Sequence, residues 1–359
     1  MKLSFVIPTL NFAEFLPHTL DSIVDEGYRP IEIIVFDGGS TDDTLAVLER
    51  YRAKFPELQV ISATERGNID IDLNKAVAAA TGDYVWTMSA DDALIPGWSQ
   101  AVVAELTESP DLLLVPAIHC DVHMRPRRNY PILKDHGGIP LKMNISGDDD
   151  LIDYLTRVRT SEGLFSFCSA CLVRRDRLLN TPALAQANGT CWRYSARLIA
   201  VLWRYPSTIT VMGRPLLFKR GDNDSFSHAG PIRRLKIATL NWDEAIESLG
   251  LNPRLTNAMT KFAKSDIRPT TLLFMSQLVR NREEKELYDA CVRTRLRDDG
   301  QQFLSAVLRY MPRVSLLRRG LQAAKALVRV VQQRLWSATL RSQRQIAEDE
   351  SKLTAPNAS

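Results

Sequence analysis

Ile31-Glu32-Ile33-Ile34-Val35-Phe36-Asp37-Gly38-Gly39-Ser40-Thr41-Asp42-Asp43-Thr44 is the stretch on which the fold turns. Its first six residues are a β-branched and aromatic run with one charge, the pattern of a strand buried on both faces. The run stops at Asp, two glycines and Ser, which are turn-forming residues. Ser40 and Asp43 have the spacing of a capping box, so a helix is expected to begin there, with Leu45, Leu48 and Tyr51 on its buried side. A strand that ends in a small acidic loop and passes into a helix is the repeating unit of an α/β protein.

Similar units lie on either side. Residues 3–7, 58–62 and 84–88 read as further buried strands, and apolar residues recur at helical spacing at Phe15, Leu16, Leu20, Ile23 and Val24 and again at Leu73, Val77 and Ala80. Pro96 suits the first turn of a helix after the fourth strand. Strand and helix alternate four times in about a hundred residues, which implies right-handed crossovers and a Rossmann-like, mostly parallel sheet flanked by helices. Ligands of such sheets bind outside the carboxyl ends of the strands.

Four loops occupy those ends: Pro8-Thr9-Leu10-Asn11, the loop from Asp37 to Asp43, Glu65-Arg66-Gly67-Asn68-Ile69-Asp70-Ile71-Asp72, and Ser89-Ala90-Asp91-Asp92. Each alone is ordinary turn chemistry. Together they gather carboxylates, which is costly unless a cation sits among them. Hard divalent ions such as Mg²⁺ or Mn²⁺ take oxygen ligands while bridging phosphates. A metal-bound nucleotide diphosphate is therefore the expected ligand. No Walker loop and no G-x-G-x-x-G follows the first strand, which argues against a P-loop enzyme or a dinucleotide dehydrogenase.

Composition bounds the rest. The 359 residues are 45% hydrophobic and 25% charged, with 46 Lys+Arg against 42 Asp+Glu, which excludes a disordered, collagenous or disulfide-scaffold chain. Five cysteines without paired spacing read as reduced thiols, and Cys168-x-x-Cys171 lacks the second pair that a zinc site needs. The N-terminus has a strand pattern rather than that of a signal peptide, and no run approaches the ~18 apolar residues of a membrane span. A cytoplasmic protein is expected.

Residues 1 to 105 resemble the nucleotide-binding half of a family 2 glycosyltransferase of GT-A fold. The resemblance is carried by Pro8-Thr9-x-Asn11, the run from Ile31 to Thr44, Ala80-Thr81-Gly82-Asp83-Tyr84-Val85-Trp86 and Ser89-Ala90-Asp91-Asp92. Gly67-Asn68-Ile69-Asp70-Ile71-Asp72 with Asn74-Lys75-Ala76 looks most like the abequosyltransferase-type branch, which builds bacterial surface polysaccharides such as O-antigen. Weaker likeness continues through Phe165-x-x-Cys168-Ser169, Val173-Arg174 and Gly189-Thr190-x-Trp192 to Arg220-Gly221-Asp222-Asn223-Asp224-Ser225.

The resemblance implies roles. Asp92 holds the metal, and Asp91 lies against the ribose or the metal shell. Thr9 and Asp37 contact base and ribose, Asp70 and Asp72 line the same nucleotide pocket, and Pro8, Asn11 and Gly67 belong to it. Gly38 stands where the family often has a second acid that contacts a pyrimidine base. Arg220 and Asn223 are placed to reach the donor phosphates, with His228 a minor candidate for the metal shell. The family's usual general base, after a glycine in the middle region, is absent at Gly189-Thr190. Glu162, Asp222 and Asp121 are the nearest carboxylates, with Glu162 and Asp222 the two retained as base candidates.

The basic excess sits late: nine Lys/Arg and no Asp or Glu fall between Gln301 and Ala347, while 36 basic and 39 acidic residues precede Gln301. Val314, Leu317, Leu321, Ala324, Val328, Val331, Leu335 and Ala338 form one apolar seam with arginines around it. An amphipathic helix over 313–345 on an anionic membrane is the first expectation, and a helix shared between two copies of the chain is the second. Nucleic acid is not expected as a partner.

The expected organisation is a GT-A domain over 1–225 (nucleotide-binding half 1–105, acceptor half 106–225), a helical region over 226–300, basic amphipathic helices over 301–347 and a tail over 348–359. The expected activity is metal-dependent, inverting transfer of a hexosyl or deoxyhexosyl unit from a nucleotide-diphosphate sugar to a lipid-linked saccharide. Its expected place is peripheral, on the inner face of the plasma membrane. A sugar-phosphate nucleotidyltransferase and a catalytically degenerate nucleotide-sugar-binding protein are the rivals.

Overall fold

The structure, a computed structural model, describes residues 1–63, 65, 67–134, 138–223 and 230–296. The chain begins with β1 (Leu3–Thr9), α1 (Leu16–Val24), β2 (Ile31–Asp37), α2 (Thr44–Lys54), β3 (Leu58–Ser62), α3 (Ile69–Ala79) and β4 (Tyr84–Thr87). These four strands run parallel in the order β3-β2-β1-β4. The chain moves outward from β1 to β3 and then returns to the far side of β1. Strand order therefore reverses between β1 and β4, the place where a crevice opens at the carboxyl ends.

Then follow β5 (Ala93–Leu94), α4 (Trp98–Leu106), β6 (Leu112–Leu114), β7 (Ala117–Cys120), β8 (Pro126–Tyr130), β9 (Leu141–Ile145), α5 (Asp148–Arg157), β10 (Cys171–Arg174), α6 (Arg175–Asn180), α7 (Arg193–Arg204), β11 (Ser207–Val211) and β12 (Leu217–Lys219). β10, β6, β11 and β9 extend the sheet to eight strands, with β10 and β9 antiparallel. A second sheet has the order β5-β12-β7-β8. Because β5 and β12 pair antiparallel, with Ala93 opposite Phe218, Asp92 is brought beside Lys219 and Arg220. The core centres on Phe5, Trp86 and Trp98, whose rings lie 5.3–5.5 Å apart.

Five α-helices, with the π-helical segment Ile237–Asn241 between the first two, complete the described chain: α8 (Pro231–Lys236), α9 (Trp242–Glu247), α10 (Pro253–Ser265), α11 (Pro269–Ser276) and α12 (Arg282–Leu296). Trp242, Ile246, Leu255 and Met259 of α9 and α10 join the main core, whereas Ile232, Leu235, Leu272, Tyr288 and Cys291 form a separate cluster. No described helix is long and apolar enough to cross a membrane. The basic segment over 301–347 and the tail lie outside the described residues.

Two local expectations are corrected. Ser40 and Asp43 do not form a capping box: Ser40 Oγ accepts from Asn11 N–H, and Asp42 Oδ1 takes the Thr44 N–H (3.0 Å) and hydroxyl (2.5 Å). Leu45 is exposed, and α2 buries Val47 and Leu48. Pro96 precedes rather than enters α4, because Gly97, with φ of 85°, is the residue before the first turn and gives its N–H to Glu26.

Candidate active site

Two polar groups lie at the carboxyl ends of the central strands. The first is built at the ends of β1 and β2. Asp37 is 1% exposed, and its carboxylate accepts the N–H groups of Gly39 and Ser40 (3.2 Å each). Thr9 stands opposite it in the strand register, and its buried hydroxyl has no hydrogen-bond partner among the described residues. Pro8, one step earlier, is half-buried. Asn11, held at φ of 60°, a conformation that Asn tolerates, accepts the Thr41 N–H at 2.7 Å and so ties the two loops together.

Asp72 reaches this corner from α3. A Cβ at Gly38 would stand 3.1 Å from its Oδ2, and a Cβ at Gly67 only 2.6 Å from its Oδ1, so a side chain at either position would push the carboxylate from its present place. The Asp72 carboxylate thus lies beside Gly38, at the end of β2. Burial raises the Asp72 pKa; Lys75 opposes the shift and Asp37 adds to it. Its Oδ1 is buried and unpartnered among the described residues.

Asp70, expected in the same pocket, is engaged elsewhere. Its carboxylate accepts main-chain N–H groups of Gly189 (2.9 Å), Cys191 (2.9 Å) and Arg193 (3.2 Å). The reason is helical geometry: two residues before Asp72 on α3, Asp70 meets the start of α7. It anchors the Gly189-Thr190 turn, the place that the resemblance gives to the usual base.

The second group surrounds a cavity of about 340 Å³ lined by Asp91, Asp92, Lys219, Arg220, Asp222 and Asn223, among others. Asp91 and Asp92 follow β4. Asp92 is 2% exposed, with Ser169 Oγ (2.6 Å) and the Arg220 N–H (3.0 Å) on its two oxygens. Asp91 accepts from Ser89 Oγ and from Asn223 Nδ2 (2.5 Å). Burial, and then the neighbouring Asp91, holds the Asp92 carboxyl well above the usual carboxylate range; Ser169, the Arg220 N–H and Lys219 act against it.

Each carboxylate oxygen keeps a second lone pair, and the donors are all oxygen, which suits a hard divalent cation. Among the described residues no three His, Cys, Asp or Glu side chains converge to cage a metal unaided. An ion here would draw its other ligands from phosphate and water, as Mg²⁺-type sites do. His228 lies outside the described residues. Cys171 is buried on β10, and all five cysteines are free.

Arg220, expected to reach the donor phosphates, lines this cavity. Its guanidinium donates to the carbonyls of Asp91 (2.9 Å) and Val122 and lies over the Phe15 ring. It builds the cavity wall.

The base candidates separate clearly. Asp222 lines the cavity and pairs with Arg127 at 2.5 Å. Asp121 caps a turn by accepting the N–H groups of His123 and Arg125. Glu162 is 3% exposed on the short 3₁₀ turn Ser161–Leu164, where its Oε1 takes Lys219 Nζ (2.8 Å) and faces His119 Nε2 (3.5 Å). Burial would raise its pKa, but Lys219 and His119 outweigh burial and hold it below the usual range. Lys219 was missed in the sequence, as were Ser169 and His119. Lys219 and His119 are set side by side by the pairing of β12 with β7, and Ser169 reaches Asp92 because β10 pairs with β4, contacts that leave no mark at short sequence range.

This geometry has relatives. Residues 4–176 match glycosyl transferase family 2. Abequosyltransferase RfbV of Salmonella typhimurium is 30% identical over 245 residues, 66% of this chain and 72% of that protein. A PGL/p-HBAD biosynthesis glycosyltransferase of Mycobacterium bovis is 38% identical over 102 residues, 28% of this chain and 40% of the relative. Among solved structures, S. aureus TarS 1–349 superposes with a TM-score of 0.58 at 17% identity, covering 86% of each chain. TarS has also been solved with UDP-GlcNAc, at a TM-score of 0.55 over 86% of this chain and 92% of that one. TarS thus establishes a shared GT-A fold, while RfbV, similar over most of both chains, establishes descent: the chain belongs to glycosyl transferase family 2, in the abequosyltransferase branch, and is a glycosyltransferase.

Proposed function

We propose that the chain moves a hexosyl or deoxyhexosyl unit from a nucleotide-diphosphate sugar to a lipid-linked saccharide, with inversion at C1 and with Mn²⁺ or Mg²⁺ bound by Asp91 and Asp92. The observation that carries this is the pair of adjacent buried carboxylates at the end of β4, open to a cavity that also holds Lys219, Asp222 and Asn223. When bound, the ion offsets phosphate charge as a Lewis acid. Thr9, Asp37 and Asp72 receive the nucleoside at the ends of β1 and β2. Asn223, hydrogen-bonded to Asp91, fixes that carboxylate. Asp222, the remaining carboxylate on the cavity wall, takes the proton of the acceptor hydroxyl as its oxygen attacks C1. The acceptor's lipid carrier and the basic 313–345 segment together place the enzyme on the inner face of the membrane.

UDP-, GDP-, CDP- and dTDP-sugars assayed with Mn²⁺ form the test. Wild type is expected to turn over one of them, and Asp92→Ala to lose at least about a hundredfold in rate. Equal turnover by both proteins would remove the metal assignment, and nucleotide binding without turnover by wild type would favour a degenerate binding protein.

A further inference from the structure

Three cations line the cavity, Lys219, Arg220 and Arg234, and contacts divide the first two, which adjoin Asp91 and Asp92. Arg220 is fastened to two carbonyls and stacked on Phe15. Lys219 is held from behind. Its Nζ makes a 2.8 Å bond to Oε1 of Glu162 and rests 4.0 Å over the Phe167 ring, with the side chain 29% exposed. An ammonium carries three N–H donors, and aromatic faces and a buried carboxylate hold this one without surrounding it.

Glu162 does not line the cavity; Lys219, which it holds, does. His119 Nε2 lies 3.5 Å from the same carboxylate, its ring stacked on Tyr130 at 4.1 Å. The arrangement is a charge paired with a buried counter-ion, on a residue that lines the same cavity as Asp91 and Asp92.

We propose that Lys219 is the side chain that meets the departing diphosphate, and that Glu162 is its positioning counter-ion rather than the acceptor's base. The inference rests on the nucleotide-diphosphate function above. In transfer, the bond from C1 to the β-phosphate oxygen breaks and its electron pair stays on that oxygen. The acceptor oxygen bonds to C1 and gives its proton to Asp222. The diphosphate thereby gains one negative charge, and a Lys219 N–H donates a hydrogen bond to it without transferring a proton.

Calorimetry on the full chain with Mn²⁺ compares UDP, CDP, GDP and dTDP with the matching monophosphates. For the diphosphate that wild type binds, Lys219→Met is expected to weaken affinity roughly 10- to 100-fold, and the monophosphate by less than about threefold, since a charged hydrogen bond is lost only in the first case. Lys219→Arg recovers most of the loss. Glu162→Gln weakens the diphosphate in the same direction and spares the monophosphate, which a general loss of structure would not do. Unchanged diphosphate affinity in Lys219→Met overturns the proposal. So does a Glu162→Gln enzyme that loses transfer while binding diphosphate normally, the behaviour of a base. Wild type that binds none of the diphosphates overturns the underlying function and the proposal with it, a result distinct from either variant failure.

Discussion

Thr9 carries a hydroxyl that folding alone does not use. It is 5% exposed, and its Oγ1 has no partner among the described residues, a situation that costs free energy. Thr9→Val keeps the shape and removes the unpaired group. It is therefore expected to leave thermal stability unchanged or slightly raised, while weakening nucleotide binding about fivefold, the worth of one neutral hydrogen bond. Thermal shift with and without the bound nucleotide separates the two effects, and equal nucleotide affinity in both proteins would remove Thr9 from the donor site. Residues of this kind were legible in the sequence, since Thr9, Asp37, Asp91 and Asp92 occupy strand ends that hydrophobic patterning marks. Asp70 was not, because its loop placed it beside Asp72 while the pitch of α3 gave its carboxylate to the start of α7.

Between elements, Glu32 is the clasp of the parallel sheet. From β2 it accepts Ser4 Oγ of β1 (2.5 Å), Lys2 Nζ (2.7 Å), and the Thr81 N–H (2.6 Å) and hydroxyl (2.7 Å) just before β4. Burial would raise its pKa, but these donors outweigh burial and bring it down to about 2. A carboxylate depressed in the folded state stabilises above its unfolded pKa of roughly 4.5, and that stabilisation is lost as pH falls from there toward 2. Glu32→Gln is expected to cost about 1–2 kcal/mol at pH 7 and to flatten the decline in stability between about pH 4.5 and 2, by at most about 1.4 kcal/mol per pH unit. Urea denaturation across that range measures both, and parallel curves would show that Glu32 carries no linkage. The strand itself was plain in the sequence; its one charged residue looked incidental until β1 and the Thr81 turn closed around it.

Across the whole molecule, charge divides into a slightly acidic body and a basic late segment, with nine Lys/Arg and no acid from Gln301 to Ala347. At roughly 1 kcal/mol per basic residue near an anionic surface, neutralising Arg318, Arg319, Arg329 and Arg334 together is expected to abolish most sedimentation with anionic liposomes. Unchanged sedimentation would sink membrane attachment, and a shift from dimer to monomer in light scattering would favour a helix shared between subunits. By itself the sequence determined the parallel α/β half and the acids at its strand ends, because hydrophobic period and turn chemistry act over a few residues and are written locally. Only the tertiary structure decided which groups share a cavity. The antiparallel pairing of β5 with β12 joins Asp92 to Lys219 and Arg220 from more than a hundred positions away, and the approach of α3 brings the Asp72 carboxylate beside Gly38. Contacts at that range depend on how sheets and helices close on one another, and the buried Glu162 behind Lys219 exists as a counter-ion only after that closure.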